Sequence, residues 1–361
     1  MSLRKIAHFI LVSIALTLLM GCGGGMSTPP PTPTAAARFA LVANSSSNSI
    51  STFAVDPQTG QLTPKNTIPT GGINSRVIAV EPSGRFAYVG NLDSNDVSVF
   101  AVDANTGSLT MVGSPLSAAN SPRFIVVGPT GNLLYVVNQN SNSISGSAIN
   151  PSTGALTPLD GAVSTDEAPV ALSFHPSGHF AYVANFNSGD VTVYRVDGAG
   201  ALGLVGATPV DFSPSSISMH PSGRFAYVAS LGSNHVTTFS IDQASGALTP
   251  IFPSITSGDG PSSVTVDSQG RFVYVTNAIE GSISVFAIDA ATGALTPAST
   301  ASAGTNPVAL TLDASGRFAY VANLGSDNIT TFTVDATTGA LTPAGTPVNA
   351  ATGPVWVTLV R

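Results

Sequence analysis

The sequence predicts an all-β protein, a seven-bladed β-propeller of four-stranded antiparallel blades whose C-terminal strand completes the first blade. Three observations predict it: a repeated segment, its constant spacing, and the way the repeat is cut at the two ends of the chain. Gly84-Arg-Phe-Ala-Tyr-Val-Gly-Asn91 returns with small changes at residues 131–138, 178–185, 223–230, 270–277 and 316–323, after a degenerate copy at residues 38–44. With Leu41, Tyr88, Tyr135, Tyr182, Tyr227, Tyr274 and Tyr320 as markers, successive steps are 47, 47, 47, 45, 47 and 46 residues. Seven copies at the length of a four-stranded blade specify radial repetition.

Within one period, Val77–Val80 reads as the first strand, a, and Glu81-Pro-Ser-Gly84 as a turn. Arg85–Asn91 reads as b, Asp96–Asp103 as c, Ala104-Asn-Thr-Gly107 as a second turn, and Ser108–Val112 as d. Strand b is apolar on both faces (Phe86 and Tyr88 against Ala87 and Val89), as required of a strand packed between two neighbouring sheets. Gly107 recurs as Gly60, Gly154, Gly246, Gly293 and Gly339, where a tight loop calls for a positive φ. The fourth copy loosens here, reading Asp197-Gly-Ala-Gly200, and its repeat is the short one. The first copy begins at strand b, whereas Gly353-Pro-Val-Trp-Val-Thr-Leu-Val360 matches strand a and has no strand b after it. One blade is therefore divided between the two ends of the repeat region, and closing it removes exposed sheet edges.

Outside the repeats the chain divides into residues 1–21, a signal peptide; residues 22–37, a linker; and residues 38–361, the propeller. Arg4 and Lys5 precede an apolar run, Ile6–Met20, that is shorter than the ~20 residues of a bilayer span. The run ends in Leu19-Met-Gly-Cys22, which resembles a bacterial lipobox. That resemblance implies lipidation at Cys22, the sole cysteine, and an exported, membrane-anchored protein, periplasmic or at the cell surface. Gly23 rather than Asp after it implies the outer membrane in a Gram-negative cell. Residues 23–37, GGGMSTPPPTPTAAA, read as a flexible and partly stiff tether.

Charge excludes some partners. Of 12 basic residues two lie in the signal segment, leaving 10 against 19 acidic ones, a net of −9. Nucleic acid is not expected as a partner, and membrane contact is expected only through Cys22.

The up-down order of strands places the d–a and b–c loops on one face, the top, and the a–b and c–d loops on the other. On the bottom, Glu81, His175, His220, Asp267 and Asp313 occupy one recurring turn position. A metal reading is available for them, but residues before Pro-Ser-Gly turns ordinarily cap the turn, and no metal or cofactor is expected. Arg85, Arg224, Arg271 and Arg317 likewise recur with the blade, as do Asp56, Asp103, Asp242, Asp289 and Asp335, and are expected to be scaffold. On the top, one column breaks the repeat: Arg76, Arg123, Val170, Ser215, Ser262, Val308 and Val355. Two arginines on adjacent blades suggest an anion or carboxylate clamp; salt bridges to nearby loop acids such as Asp93, Asp160 or Asp166 are the competing explanation. Ser45-Ser-Ser-Asn48, Gln139-Asn-Ser-Asn142 and Asn187-Ser-Gly-Asp190 could serve a glycan, or merely turn the chain. Asp93, Asp96, Asp160, Asp166, Glu167, Asp190, Asp211, Asp259, Glu280 and Asp327 make the top face negative and unattractive to a phosphorylated substrate.

The repeat unit GRFAYVANxxSNxVSVFxVDxxTGALTP resembles that of the seven-bladed lactonase family, which includes 6-phosphogluconolactonases and bacterial surface proteins with YVTN-type repeats. The resemblance covers residues 38–361 and implies fold more strongly than reaction. It also implies an axial site of Arg, His and Glu. The family enzymes carry a strand resembling Pro-Arg-His and then Asn-Glu after strand b; here Pro122, Arg123 and Phe124 are followed by Asn138 and Gln139. Neither Phe124 nor Gln139 can exchange a proton, so general acid or base chemistry is missing at these positions. Arg76, Arg123 and Gln139 are the candidate site residues. The leading expectation is a lipid-anchored binding or surface-interaction protein, with a small lactone, a glycan or an envelope protein as partner. The alternative is a lactonase with its site on the d–a/b–c loop face.

Overall fold

The computed structural model describes residues 37–361, in which every regular element is a strand and the strands form seven sheets. The signal segment, Cys22 and all of the linker but Ala37 lie outside the described residues. Blade 2 shows the pattern. Ser75–Val80 is innermost, followed outward by Phe86–Asn91, Asp96–Val102 and Leu109–Met111, each antiparallel to the last. The inner strands of blades 3 to 7 are Pro122–Val127, Pro169–Phe174, Pro214–Met219, Pro261–Val266 and Pro307–Leu312. Each touches the next, and Pro354–Val360 stands between the last of them and Ser75–Val80, so the ring is closed.

Blade 1 is assembled as the repeat phase requires, in the order Leu62–Pro69, Ser49–Val55, Phe39–Asn44, Pro354–Val360. Trp356 pairs with Ala43 and Val360 with Phe39, and the Arg38 amide donates to the Val360 carbonyl at 2.8 Å. Both edges left by the interrupted repeat are thereby satisfied.

The core is seven apolar layers, each between two blades. Ala87 and Val89 enter the layer shared with blade 1, while Phe86 and Tyr88 enter the layer shared with blade 3. The two-sided apolarity of strand b thus has a direct cause: alternate side chains serve different neighbours. The tyrosines also carry a polar link. Tyr88, Tyr182, Tyr227, Tyr274 and Tyr320 are fully buried, and each hydroxyl donates to the carbonyl of a turn glycine in the next blade, from Gly154 (3.2 Å) round to Gly60 (3.0 Å). Tyr135 does the same to Gly200 at 2.6 Å. Burial pushes these phenols up from their usual range, that of Tyr135 to about 12. Glycine is required in those turns on two counts. Gly293 has φ +76°, and a Cβ there would overlap the Phe225 ring of the preceding blade.

The outer strands depart from the sequence expectation. In place of one strand over Ser108–Val112, blade 2 has Leu109–Met111 and, after a break, Leu116–Ser117. Blades 3 and 7 are split likewise, around Gly161 and Gly345. Gly113, Gly161 and Gly345 all have positive φ, which turns the chain off the ladder until pairing resumes. Asp160 falls in the blade 3 break, on the outer edge and not in a top loop as expected.

Candidate functional site

The divergent top column acquires its position from a repeated backbone irregularity. In blade 2 Ser75 pairs with Asn91 and Val77 with Gly90, which leaves Arg76 as an extra residue. In blade 3 Pro122 pairs with Asn138 and Phe124 with Val137, leaving Arg123. The same one-residue shift isolates Val170, Ser215, Ser262, Val308 and Val355 in the other five blades. A bulge re-aims its extra side chain. Here all seven line one axial cavity of about 600 Å³ that begins between the top loops and reaches the bottom turns at Ser268 and Asp313.

Arg76 and Arg123 are the cations of this cavity, on neighbouring inner strands. Among the described residues neither makes a salt bridge: the two ion pairs are His235–Asp211 at 3.3 Å and Arg271–Asp267 at 3.9 Å. The expected competitors Asp93, Asp160 and Asp166 do not pair with them. The Arg76 Nε is shut off from solvent and has no hydrogen-bond partner. Burial lowers the pKa of Arg76, and Asp93 partly opposes this. Burial, reinforced by the charge of Arg76, pushes Arg123 down to about 9, so both groups remain cationic at neutral pH. Two adjacent guanidinium groups without a salt-bridged counter-charge form a concentrated positive field at low dielectric.

Around them the wall is apolar or hydroxylic. Trp356 of blade 1 and Phe124 of blade 3 meet edge to face across the inner strand of blade 2, centroids 5.5 Å apart at 83°. Phe124 therefore fills space where the family resemblance implies His. Gln139 lies in the top loop after Asn138, its backbone N–H donating to the Ser121 carbonyl at 2.8 Å. It does not line the cavity, whereas its counterparts in blades 5 and 6, Leu231 and Ala278, do. Arg76 and Arg123 are thus brought together and Gln139 stays outside. Trp356, Leu231 and Ala278 also belong to the lining, and nothing in the residue pattern marked them beyond the place of Trp356 one residue after the divergent column.

The remaining top-face expectations separate into structure and charge. Asn48 and Asn142 adopt φ +52° and +47°. Their side-chain oxygens accept the amides of Asn74 (2.7 Å) and Ala168 (2.9 Å) in the next blade. These two loop asparagines are engaged as clasps between blades. The acids Asp93, Asp166, Glu167, Asp211, Asp259, Glu280 and Asp327 do occupy top loops, with Asp96 and Asp190 at the adjoining strand starts. Asp190 has its carboxyl pKa raised, chiefly by burial, with nearby Asp166 adding to it.

On the bottom the recurring polar residues cap turns. The Nδ1 of His175 accepts the Ser177 amide at 3.1 Å, and its Nε2 lies 2.9 Å from the Gly223 carbonyl of the next blade. His220 repeats this with Ser222 and Gly270. Glu81, Asp267 and Asp313 take the amides at the start of the following strand, those of Phe86, Phe272 and Phe318 among them. With both ring nitrogens occupied, the histidines have no lone pair free for a metal. Among the described residues no group of three or more metal-binding side chains gathers anywhere. Arg85, Arg224, Arg271 and Arg317 lie over the phenylalanine next in sequence and donate to turn carbonyls of the next blade. Asp103, Asp242, Asp289 and Asp335 cap their own turns.

Solved structures share this architecture. A candidate 6-phosphogluconolactonase from Bacteroides uniformis superposes with a TM-score of 0.80 at 21% identity, covering 89% of this chain and 99% of its own. A second, from Bacteroides fragilis, gives 0.80 at 21% over 92% of this chain and 100% of its own. The periplasmic gluconolactonase of Pseudomonas aeruginosa gives 0.78 at 22% over 90% and 99%. At such identities the likeness establishes the fold. No curated protein is significantly similar in sequence. The family model for Lactonase, 7-bladed beta-propeller, matches residues 34–121, 116–174, 164–261 and 217–359. The chain belongs to the seven-bladed β-propeller lactonase family.

Proposed function

We propose that this protein is a lipid-anchored, extracytoplasmic member of the family that binds a small carboxylate at the top of its axial cavity. The observation that carries the reading is the pair Arg76 and Arg123, half-buried on adjacent inner strands with no salt-bridge partner. Like charges held in a protein interior without a counter-ion cost several kcal/mol, and a carboxylate seated between them would remove that cost through charge-assisted hydrogen bonds. Proton chemistry has little support within the cavity. Its acidic lining residue is Asp313, at the bottom end, whose oxygens already accept the Arg317 and Phe318 amides and bond Ser315. Export and anchoring are supported by the Arg4-Lys5 start, the apolar run and Cys22.

Titration calorimetry with a panel of small carboxylates tests the binding: Arg123→Ala should lower affinity at least tenfold. Incorporation of labelled fatty acid that Cys22→Ser abolishes tests the anchor. A second reading, hydrolysis of a cyclic ester, is favoured by the field of Asp93 at Arg76. There the arginines would polarise the lactone carbonyl and Asp93 would activate water. Lactone hydrolysis by the purified protein, abolished by Arg123→Ala, would replace the binding reading with this one.

A further inference from the structure

We propose that the ligand of the axial site is an amphiphilic monocarboxylate, its head between Arg76 and Arg123 and an apolar body leaning on blades 5 and 6; this rests on the anion reading above. In a ring of seven, blade 6 lies opposite the junction of blades 2 and 3, with blades 5 and 7 beside it. The wall facing the arginines therefore comes from these three blades.

That wall offers a polyhydroxylated ligand little. Four of its hydroxyls are turned into the scaffold, while Ser216 and Ser263 beside them keep theirs free: Ser215 donates to the Pro261 carbonyl at 2.7 Å and Ser262 to that of Pro307 at 2.9 Å. Thr265 donates to Leu310 at 3.0 Å and Thr311 to Val357 at 2.6 Å. A hydroxyl has one proton, and in each of these four it goes to a scaffold acceptor, the Ala229 and Thr276 carbonyls being second ones within reach of Ser215 and Ser262. Between them stand the half-buried apolar side chains of Val266, Val308 and Leu312, while Val264 and Leu310 pack into the layers between blades. A sugar body placed there would leave several of its own hydroxyls unmatched, at a cost each time, while a hydrocarbon body would not.

The mouth on the same side extends the apolar surface. Leu231 and Ala278 line it, and the Phe212 carbonyl accepts the amide of Gly232, next to Leu231. Phe212 is 81% exposed and Ile279, next to Ala278, 76% exposed. Large exposed apolar side chains beside a concave opening mark a surface that is covered when occupied. The acidic loops around it disfavour a ligand with several negative charges, which leaves a single carboxylate.

Trp356 lines the cavity and is the sole tryptophan of the chain, so its fluorescence reports occupancy. Acetate, butyrate, hexanoate, octanoate, gluconate and 1-octanol are titrated against the wild type, Arg123→Ala, and the triple variant Phe212→Ser/Leu231→Ser/Ile279→Ser. Because these three side chains are solvent-exposed, the triple variant should fold, with far-UV circular dichroism as the check. The expected result is affinity rising about fourfold per methylene, with gluconate and 1-octanol weak. Chain-length dependence should flatten in the triple variant, and Arg123→Ala should weaken every carboxylate alike. Equal affinity for gluconate and octanoate, both lost in Arg123→Ala, would overturn this proposal and leave the anion site standing. A dependence unchanged in the triple variant would also overturn it. Failure of every carboxylate to move the Trp356 signal, with titration calorimetry flat, would overturn both.

Discussion

Deleting residues 354–361 should unfold the propeller, because this segment supplies the inner strand of blade 1. It buries Val355 (5% exposed), Val357 (1%) and Val360 (1%). At roughly 1.5–3 kcal/mol for each buried valine, apolar burial alone amounts to about 5–9 kcal/mol. The backbone pairing to Phe39–Asn44 and the contacts with the inner strands of blades 2 and 7 add to this. The net stability of a domain is about 5–15 kcal/mol, so the loss is comparable with the whole. A graded version is Val357→Ala, which removes about two methylene equivalents, or roughly 2 kcal/mol, and should lower the melting temperature by about 3 °C for a domain of this size. The assay is thermal unfolding followed by far-UV circular dichroism, with hydrogen exchange of the Phe39–Asn44 amides as a local readout. A truncated protein that melts at the wild-type temperature would refute the closure argument, and with it the assignment of loops to two faces.

Other consequences can be checked as directly. Gly293→Ala should destabilise by about 1–2 kcal/mol from left-handed backbone strain alone, with more from displacement of the Phe225 ring, measured by chemical denaturation. Tyr227→Phe should cost about 1–3 kcal/mol by leaving the Gly293 carbonyl without its 3.1 Å donor. Carboxylate affinity should hold steady near neutrality and fall as pH rises through about 9, where Arg123 loses its proton, while Arg123→Ala should show no such step. Because its folded-state pKa is depressed, the folded protein binds fewer protons than the unfolded chain above that pH. The cost of burying this charge therefore shrinks with rising pH, and loss of binding should precede any loss of fold. A chelator should leave the melting temperature unchanged, since both imidazoles of His175 and His220 already have their partners.

What the sequence disclosed was whatever the repeat writes into side-chain identity. Blade number, the divided blade and the sharing of Ala87 and Tyr88 between two layers follow from spacing and alternation. The polar residues before each turn were also legible as caps, since Pro-Ser-Gly leaves amides to satisfy. Bulges were not, because one extra residue on a strand changes no residue type: Arg76 and Arg123 stood out as a candidate anion clamp, but the shifted register that re-aims them into the cavity was not visible. Asp160 was misplaced for a similar reason, as Gly161 interrupts an outer strand that the pattern continues. Gln139 looked equivalent to lining residues, and Leu231 and Ala278 in other blades do line the cavity. Its absence from the wall depends on side-chain placement that no periodicity records.

Six of the seven junctions carry the tyrosine hydroxyl link, and the one from blade 1 to blade 2 does not, because Leu41 stands where the others have tyrosine. A circular assembly is no stronger than its poorest joint, and this joint adjoins both the blade stitched from distant stretches of chain and the blade bearing Arg76. Heat or pulling force should therefore part the annulus there first, dismantling the anion pocket while most of the wheel is still intact.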